Sequence, residues 1–276
     1  MNTFFCRAFQ CCFAVGARFL PWRTPEVFSG EGSLLRAADI LRENGLRRPF
    51  VIASRRQCAD EHFRALQEKL DEQDILLSIF SSVEPNPSVE TVEKIAAQYK
   101  IDSCDCFLVI GGGSPMDCCK AACAIARGTD NIEPYHNGDK PVTAEEAIPM
   151  IAFATTAGTA SEVTNISVLT NVAAGVKKPM NHPAMYPKIA VVDPELTLTV
   201  PPQVTASTGL DVLCHAVESY WSVNHQPVCA ACSVHAARLV FDWLEKAYRD
   251  GNDLEAREKM AEASIVAGVA FSHPRT

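Results

Sequence analysis

Apolar residues in the first two hundred positions come in short runs separated by amphipathic stretches. RPFVIAS, ending at Ser54, has strand length, and ADEHFRALQEKLDEQ after it carries apolar residues at helical spacing. The alternation then repeats. DILLSIFSSV predicts a second strand, and SVETVEKIAAQYK predicts a helix from Ser88, whose hydroxyl suits an N-cap. CDCFLVI and IPMIAFATT predict two more strands with the helix PMDCCKAACAIA between them, and KIAVVD a last strand after a polar excursion. Strand and helix in alternation imply an α/β fold, a parallel sheet covered on both faces. The character changes after Pro201-Pro202. From Gln203 onward only helical patterns remain: QVTASTGLDVLCHAVESYWS, PVCAACSVHAARLVFDWLEKAYRD and DLEAREKMAEASIVAGVAFS. An α/β part over residues 1–200 and an all-helical part over 201–276 are therefore expected.

Composition narrows the functional class. The chain has 276 residues, 47% of them apolar, enough to bury a large core. A net charge of −8 and the lack of long Lys or Arg runs argue against a nucleic-acid surface. No apolar stretch reaches membrane-spanning length. The N-terminus, MNTFFCRAFQCCFAVGARFL, has Arg7 inside its apolar part and no small-residue cleavage site, which argues against a signal peptide. The 12 cysteines do not read as a disulfide or zinc framework. Cys118, Cys119 and Cys123 fall on one predicted helix and Cys104 and Cys106 on one predicted strand, as small apolar fillers. Cys229 and Cys232 form a lone CAAC without a second pair. Free thiols in this number suit a cytoplasmic, reducing location.

Candidate chemistry begins at FLVIGGGSPMDCCKAACAIA. Gly111, Gly112 and Gly113 follow an apolar strand directly, and Pro115 suits the first turn of the next helix. Glycines let the backbone approach a ligand, and the open N–H groups of a helix start favour an anion such as phosphate. A tight turn with no ligand gives the same residues. ATTAGTASEVTN, from Ala154 to Asn165, follows the next strand and is rich in hydroxyls. If the two strands are neighbours, the two loops line one crevice at the carboxyl edge of the sheet, where open α/β sheets bind nucleotides. An ordinary polar loop is the alternative. In TASTGLDVLCHAVESYW, Asp211 and His215 are four apart and share one helix face. A carboxylate with an imidazole suits Fe(II) or Zn(II), although such pairs are commonly plain helix-surface contacts.

In order along the chain, GGGSPMDCCKA, TTAGTASEVT, KIAVVDPELT and TASTGLDVLCHAVESY resemble the iron-containing alcohol dehydrogenases. FQCCFAVGARFLPWRTPEVFSGEGSL also looks like that family's opening hairpin. The resemblance implies a dinucleotide-binding α/β domain and the beginning of a helical metal-binding domain, with nicotinamide and metal meeting between them. It implies pyrophosphate contacts from Gly111, Gly112, Gly113 and Ser114, with Asp117 nearby, and nucleotide contacts from Thr155, Thr156 and Thr159. Asn86 matches a residue beside the ribose, and Lys177 or Lys178 a lysine facing the cofactor, Lys177 being the candidate cleft residue. Asp211 and His215 match the first two metal ligands. The implied activity is hydride transfer between NAD(P) and a small alcohol or aldehyde, with Fe(II), or Zn, as Lewis acid. A homodimer is also implied. The alternatives are a truncated, non-catalytic nucleotide-binding relative, or a polyol dehydrogenase or dehydroquinate-synthase-like enzyme of the same fold.

Three departures stand out. Ala160 occupies a position where the family usually has Gly, a mild change unless that backbone needs a positive φ. Ser54, Arg55 and Arg56 stand where many members carry an acidic residue for the adenosine ribose, so Arg55 leans the expectation toward NADP. Family members also supply further histidine ligands beyond AGVAF, whereas this chain reaches only FSHPRT. His273, followed by Pro274, falls too early, and His182, His225 and His235 are not at ligand positions. The helical part is therefore expected to be incomplete and to leave an apolar face uncovered.

Overall fold

Short β-branched and aromatic runs build one six-stranded sheet in which every pairing is parallel. The computed structural model describes residues 6–10, 12, 23–128, 131–143, 147–223 and 226–272. The strands are β1 (Glu26–Ser29), β2 (Pro49–Ala53), β3 (Ser78–Phe80), β4 (Cys106–Gly111), β5 (Met150–Ala154), the hairpin β6 (Ile166–Asn171) and β7 (Val176–Asn181), and β8 (Ile189–Val192). Their order in the sheet is β1-β8-β5-β4-β2-β3, with the antiparallel β6–β7 pair apart. The helices of this part are α1 (Arg36–Glu43), α2 (Arg55–Cys58), α3 (Glu61–Asp71), α4 (Val89–Ile101), α5 (Gly113–Ile125) and α6 (Glu133–Asn137).

Every residue of β2, β4 and β5 is buried, which is why these strands read as continuous apolar runs without alternation. Alternate residues serve opposite faces. Phe50, Ile52, Phe107 and Val109 pack with α4 and α5, where Tyr99 stacks on Phe107 with ring centroids 4.5 Å apart. Val51, Leu108, Ile110 and Phe153 pack with α1 and α3 on the other face. Ser88 caps α4 as the sequence implies, accepting from the Thr91 N–H at 3.2 Å.

Several expectations need correction. The helix expected over ADEHFRALQEKLDEQ forms at Glu61–Asp71, with Asp60 as its cap accepting from the His62 N–H, and a short helix not expected from the sequence, Arg55–Cys58, precedes it. The strand expected over DILLSIFSSV shrinks to Ser78–Phe80, since Asp74 takes a left-handed turn with φ of 54°. Cys104 precedes β4 rather than lying on it. The polar excursion is the β6–β7 hairpin, whose second strand hides behind Lys177, Lys178 and Pro179. Much of the expected opening hairpin lies outside the described residues; within them, β1 is a parallel edge strand on β8.

After Val200 the described residues form only helices: α7 (Pro202–Trp221), α8 (Pro227–Arg249) and α9 (Leu254–Ser272). Their shared core includes Val212, Ala216, Val240, Met260 and Ala267. One small residue permits close approach. A Cβ on Gly209 would meet Leu244 Cδ1 at 2.3 Å, so α7 and α8 can touch only with glycine there. Arg257 is buried and donates to Thr205 Oγ1 (2.7 Å), the Gly251 carbonyl (2.9 Å) and the Val200 carbonyl (3.1 Å), pinning α9 to the junction. On the outer side Leu210, Phe241 and Tyr248 are exposed along an open apolar groove, as the sequence led us to expect.

Ala160 does sit at a positive φ, 51°, so the alanine at this position carries backbone strain. Its Cβ also faces α9: a Cβ added to Gly268 would lie 2.4 Å from Ala160 Cβ and 2.7 Å from Val163 Cγ2. Gly268→Ala should therefore destabilise by about 1–3 kcal/mol through overpacking. Combining it with Ala160→Gly should recover most of the loss, giving a coupling above about 1 kcal/mol in denaturant unfolding. Additive effects in that double-mutant cycle would contradict the contact.

Candidate functional site

The chain runs from β2 outward to β3, then back across to β4, so its path reverses between β2 and β4. A reversal of this kind opens a crevice at the carboxyl ends of the strands. Three segments meet there: Ser54–Gln57 after β2, Gly111–Ser114 after β4, and Thr155–Thr159 after β5. Gly111 pairs with Ala154, and the Thr155 N–H donates to the Gly111 carbonyl at 3.1 Å, so the two turns leave the sheet at the same level.

The glycines are required by close approach rather than by a left-handed backbone; Gly112, the N-cap of α5, has φ of −88°. A Cβ would lie 2.7 Å from Pro115 Cγ at Gly111, 3.0 Å from Thr156 Oγ1 at Gly112, and 3.1 Å from Thr159 Cγ2 at Gly113. Ser114 follows inside the first turn of α5, where the backbone N–H groups have no intrahelical acceptors. The glycine turn and the threonine loop are thus one structural unit.

Beside them lies a cavity of about 180 Å³ lined by Ser54, Arg56, Gln57, Thr155 and Thr156 among others. Ser54 and Gln57 form a reciprocal capping box, and Gln57 Nε2 donates to Thr155 Oγ1 at 3.1 Å. Arg56 lines the cavity and donates to the Thr199 carbonyl at 2.9 Å; Arg55 is exposed and not part of the lining. Asp60 and Glu195 add carboxylates to the wall. His62 stands between them, with Nδ1 2.8 Å from Asp60 and Nε2 4.0 Å from Glu195. Burial opposes a charge on His62, but the Asp60 hydrogen bond and the neighbouring carboxylates outweigh it, so the imidazole titrates above its ordinary value.

Asp117 is partly buried, with Oδ2 accepting from the Val168 N–H (3.1 Å) and Oδ1 from the Ser161 hydroxyl (3.3 Å). Asn86 and Lys177 come together from distant segments: Lys177 Nζ donates to Asn86 Oδ1 at 2.7 Å, and Asn86 holds a positive φ of 56°. Lys178 instead donates to Asn137, so of the two lysines Lys177 is the one beside Asn86. Sequence reasoning missed Lys120 and Glu162, both buried beneath the threonine loop. The available signal was a lone lysine inside DCCKAACAIA, where its neighbours are otherwise small and apolar.

On α7, His215 Nε2 lies 3.7 Å from Asp211 Oδ1, and the imidazole sits against Phe271 with centroids 4.4 Å apart. His215 Nδ1 is buried with no hydrogen-bond partner. A carboxylate beside a partly unsatisfied imidazole fits a metal's donor chemistry. Among the described residues, however, no cluster of three or more His, Cys, Asp or Glu could hold a metal. His235 is bonded to Glu262 at 3.1 Å, and His225 and His273 lie outside the described residues. Among the described residues Asp211 and His215 lie side by side without a third such donor.

The pattern of the iron-containing alcohol dehydrogenases matches residues 24–194, and that family's C-terminal pattern matches residues 205–276. The chain belongs to the iron-containing alcohol dehydrogenase family. It is 34% identical over 244 residues to alcohol dehydrogenase 4 of Schizosaccharomyces pombe, covering 88% of this chain and 57% of that protein. It is also 34% identical over 262 residues to the NAD-dependent methanol dehydrogenase of Bacillus methanolicus, covering 92% and 66% respectively. Among solved structures, sulfoacetaldehyde reductase from Bifidobacterium kashiwanohense in complex with NAD+ superposes with a TM-score of 0.88 at 40% identity, over 94% of this chain and 68% of that one. The chain therefore spans about three-fifths to two-thirds of the length of these relatives. No described helix is long and apolar enough to cross a membrane.

The buried charges give this family member a pH signature. Burial pushes the Glu162 carboxyl up from 4.5 to about 7, and pulls the Lys120 ammonium down from 10.5 to about 8. Between pH 4.5 and 7 the folded chain holds the Glu162 proton more tightly than the unfolded chain, so stability falls as pH rises. Between pH 8 and 10.5 the unfolded chain holds the Lys120 proton more tightly, so stability rises with pH. Urea unfolding of wild type against Glu162→Gln should differ in slope on the acid side. Parallel curves between pH 4.5 and 7 would contradict this reading of Glu162.

Proposed function

We propose that the chain works as the dinucleotide-binding part of an iron-containing alcohol dehydrogenase or aldehyde reductase, and that its helices contribute two of the metal's ligands. The observation that carries this reading is the single unit made by the glycine turn and the threonine loop, where a Cβ on Gly112 or Gly113 would lie only 3.0 or 3.1 Å from a threonine side chain of the second loop. The boundary between the α/β and helical parts is placed near residue 200, where strands give way to α7.

The cradle fits a dinucleotide. Backbone N–H groups at Gly112, Gly113 and Ser114 donate to a diphosphate at the start of α5, and the hydroxyls of Thr155, Thr156 and Thr159 face it from the second loop. Asn86 and Lys177 hold the ribose on the nicotinamide side, with Lys177 as the cleft residue nearest the chemistry; their 2.7 Å bond supports this pairing. Asp117 acts one layer back, holding the hairpin through Val168. When bound, the nicotinamide supplies hydride transfer to and from a small alcohol or aldehyde. The relatives support NAD as a cofactor, through an NAD-dependent enzyme and an NAD+ complex. The Ser54-Arg55-Arg56 turn favours NADP, with Arg56 in the cavity wall as the group to meet a 2′-phosphate. Asp211 and His215 are assigned to Fe(II), with Zn(II) as the second choice; since they are only a pair, no chemical step is derived through the metal. A homodimer through the β1 edge and a cytoplasmic location complete the reading.

One observation favours a second reading, a nucleotide-binding relative without turnover: among the described residues no third donor joins Asp211 and His215. Anaerobic assays with ferrous iron and short aldehydes separate the two. Aldehyde-dependent NADPH or NADH oxidation that needs Fe(II), and falls at least about tenfold in His215→Ala, supports the enzyme. Cofactor binding with no turnover supports the second reading. Arg56→Gln should weaken NADPH about tenfold, the scale of one charged hydrogen bond, and leave NADH within about twofold. Equal losses for both cofactors in a fluorescence titration would remove Arg56 from the 2′-phosphate.

A further inference from the structure

Lys120 lies two turns into α5 and is fully buried. A buried ammonium is costly unless its donors are all used, and here they are. Nζ donates to Ser161 Oγ (2.7 Å), Thr164 Oγ1 (3.0 Å) and the Ile166 carbonyl (2.9 Å), all on the segment that follows the threonine loop. Ser161 passes the constraint on in two directions. Its hydroxyl donates to Asp117 on α5 (3.3 Å), and its N–H donates to Thr159 Oγ1 (3.3 Å). Thr159 is the residue that leaves no space for a side chain on Gly113. The helix that starts at the glycine turn thus reaches across, through its own lysine, and holds the opposite loop at a set distance.

We propose that Lys120 is a positioning residue for dinucleotide binding: from beneath the site it fixes the spacing between the glycine turn and the threonine loop, and so the gap that receives the diphosphate. It touches no ligand itself. The inference rests on the dinucleotide reading above and deepens it, because it separates the diphosphate gap, which depends on Lys120, from the neighbouring cavity assigned to adenosine, whose wall is built mostly outside the threonine loop by Ser54, Arg56, Gln57 and Asp60, with Thr155 and Thr156 at the shared edge.

The test is a set of binding titrations on the full chain with NADH, NADPH, ADP and adenosine. Wild-type chain that binds neither NADH nor NADPH overturns the dinucleotide reading and this proposal with it. If wild type binds, Lys120→Met should weaken NADH and ADP by about tenfold or more and adenosine by less than about twofold, because only the first two span the gap. Ser161→Ala removes the relay while Lys120 keeps its other two acceptors, Thr164 and the Ile166 carbonyl. It should shift the same two ligands in the same direction, by about threefold to tenfold, and it decides the matter if Lys120→Met does not fold. Equal weakening of adenosine and NADH in a variant that still melts cooperatively would mean a general loss of stability. That result, or unchanged NADH and ADP affinity, overturns the positioning role.

Discussion

The parallel register between β4 and β5 is the constraint on which the rest of the site depends. It sets Gly111 opposite Ala154, so the turns that follow both strands begin at one level and lie against each other. Once they touch, two side-chain positions are no longer free. A Cβ at Gly112 or Gly113 would press on Thr156 or Thr159 of the second loop at 3.0 and 3.1 Å, and one at Gly111 would clash with Pro115 of its own helix at 2.7 Å. The chemistry of an anion-accepting helix start is general to α/β folds. Here it is sharpened by a second loop held at contact distance, with a buried network of Lys120, Asp117 and Ser161 beneath it.

The two faces of the sheet explain why so much of this was legible in the sequence. Strands buried on both sides read as unbroken apolar runs, and PFVIA, CFLVIG and MIAFA all stand out for that reason. The long helices after Pro201 were equally plain. The β6–β7 hairpin was not, because its second strand carries two lysines and a proline, and its pairing with β6 decides its conformation. Arg55 and Arg56 were indistinguishable by type; in the fold only Arg56 borders the cavity, where it donates to the Thr199 carbonyl. Lys120 was invisible as a site residue, since its partners Ser161, Thr164 and Ile166 lie more than forty residues away.

The helical part is tied to the site as well. Arg257 holds α9 to Val200 and Thr205, at the wall of the cavity beside the glycine turn. Gly268 lets the same helix rest on Ala160, just past the threonine loop. The strained alanine at φ of 51° therefore sits where the two parts of the chain meet. Asp211 and His215 share one face of α7, as their four-residue spacing implied, with the His215 ring against Phe271 of α9, a residue that also packs on the Ala160 cluster.

The central claim is that one diphosphate is held between the glycine turn and the threonine loop. A crystal structure of the chain with NADH or NADPH tests it most directly. The account predicts diphosphate oxygens within hydrogen-bond distance of the Gly112 to Ser114 amides and a threonine hydroxyl of the Thr155–Thr159 loop. A dinucleotide bound with its diphosphate anywhere else on the chain would contradict it.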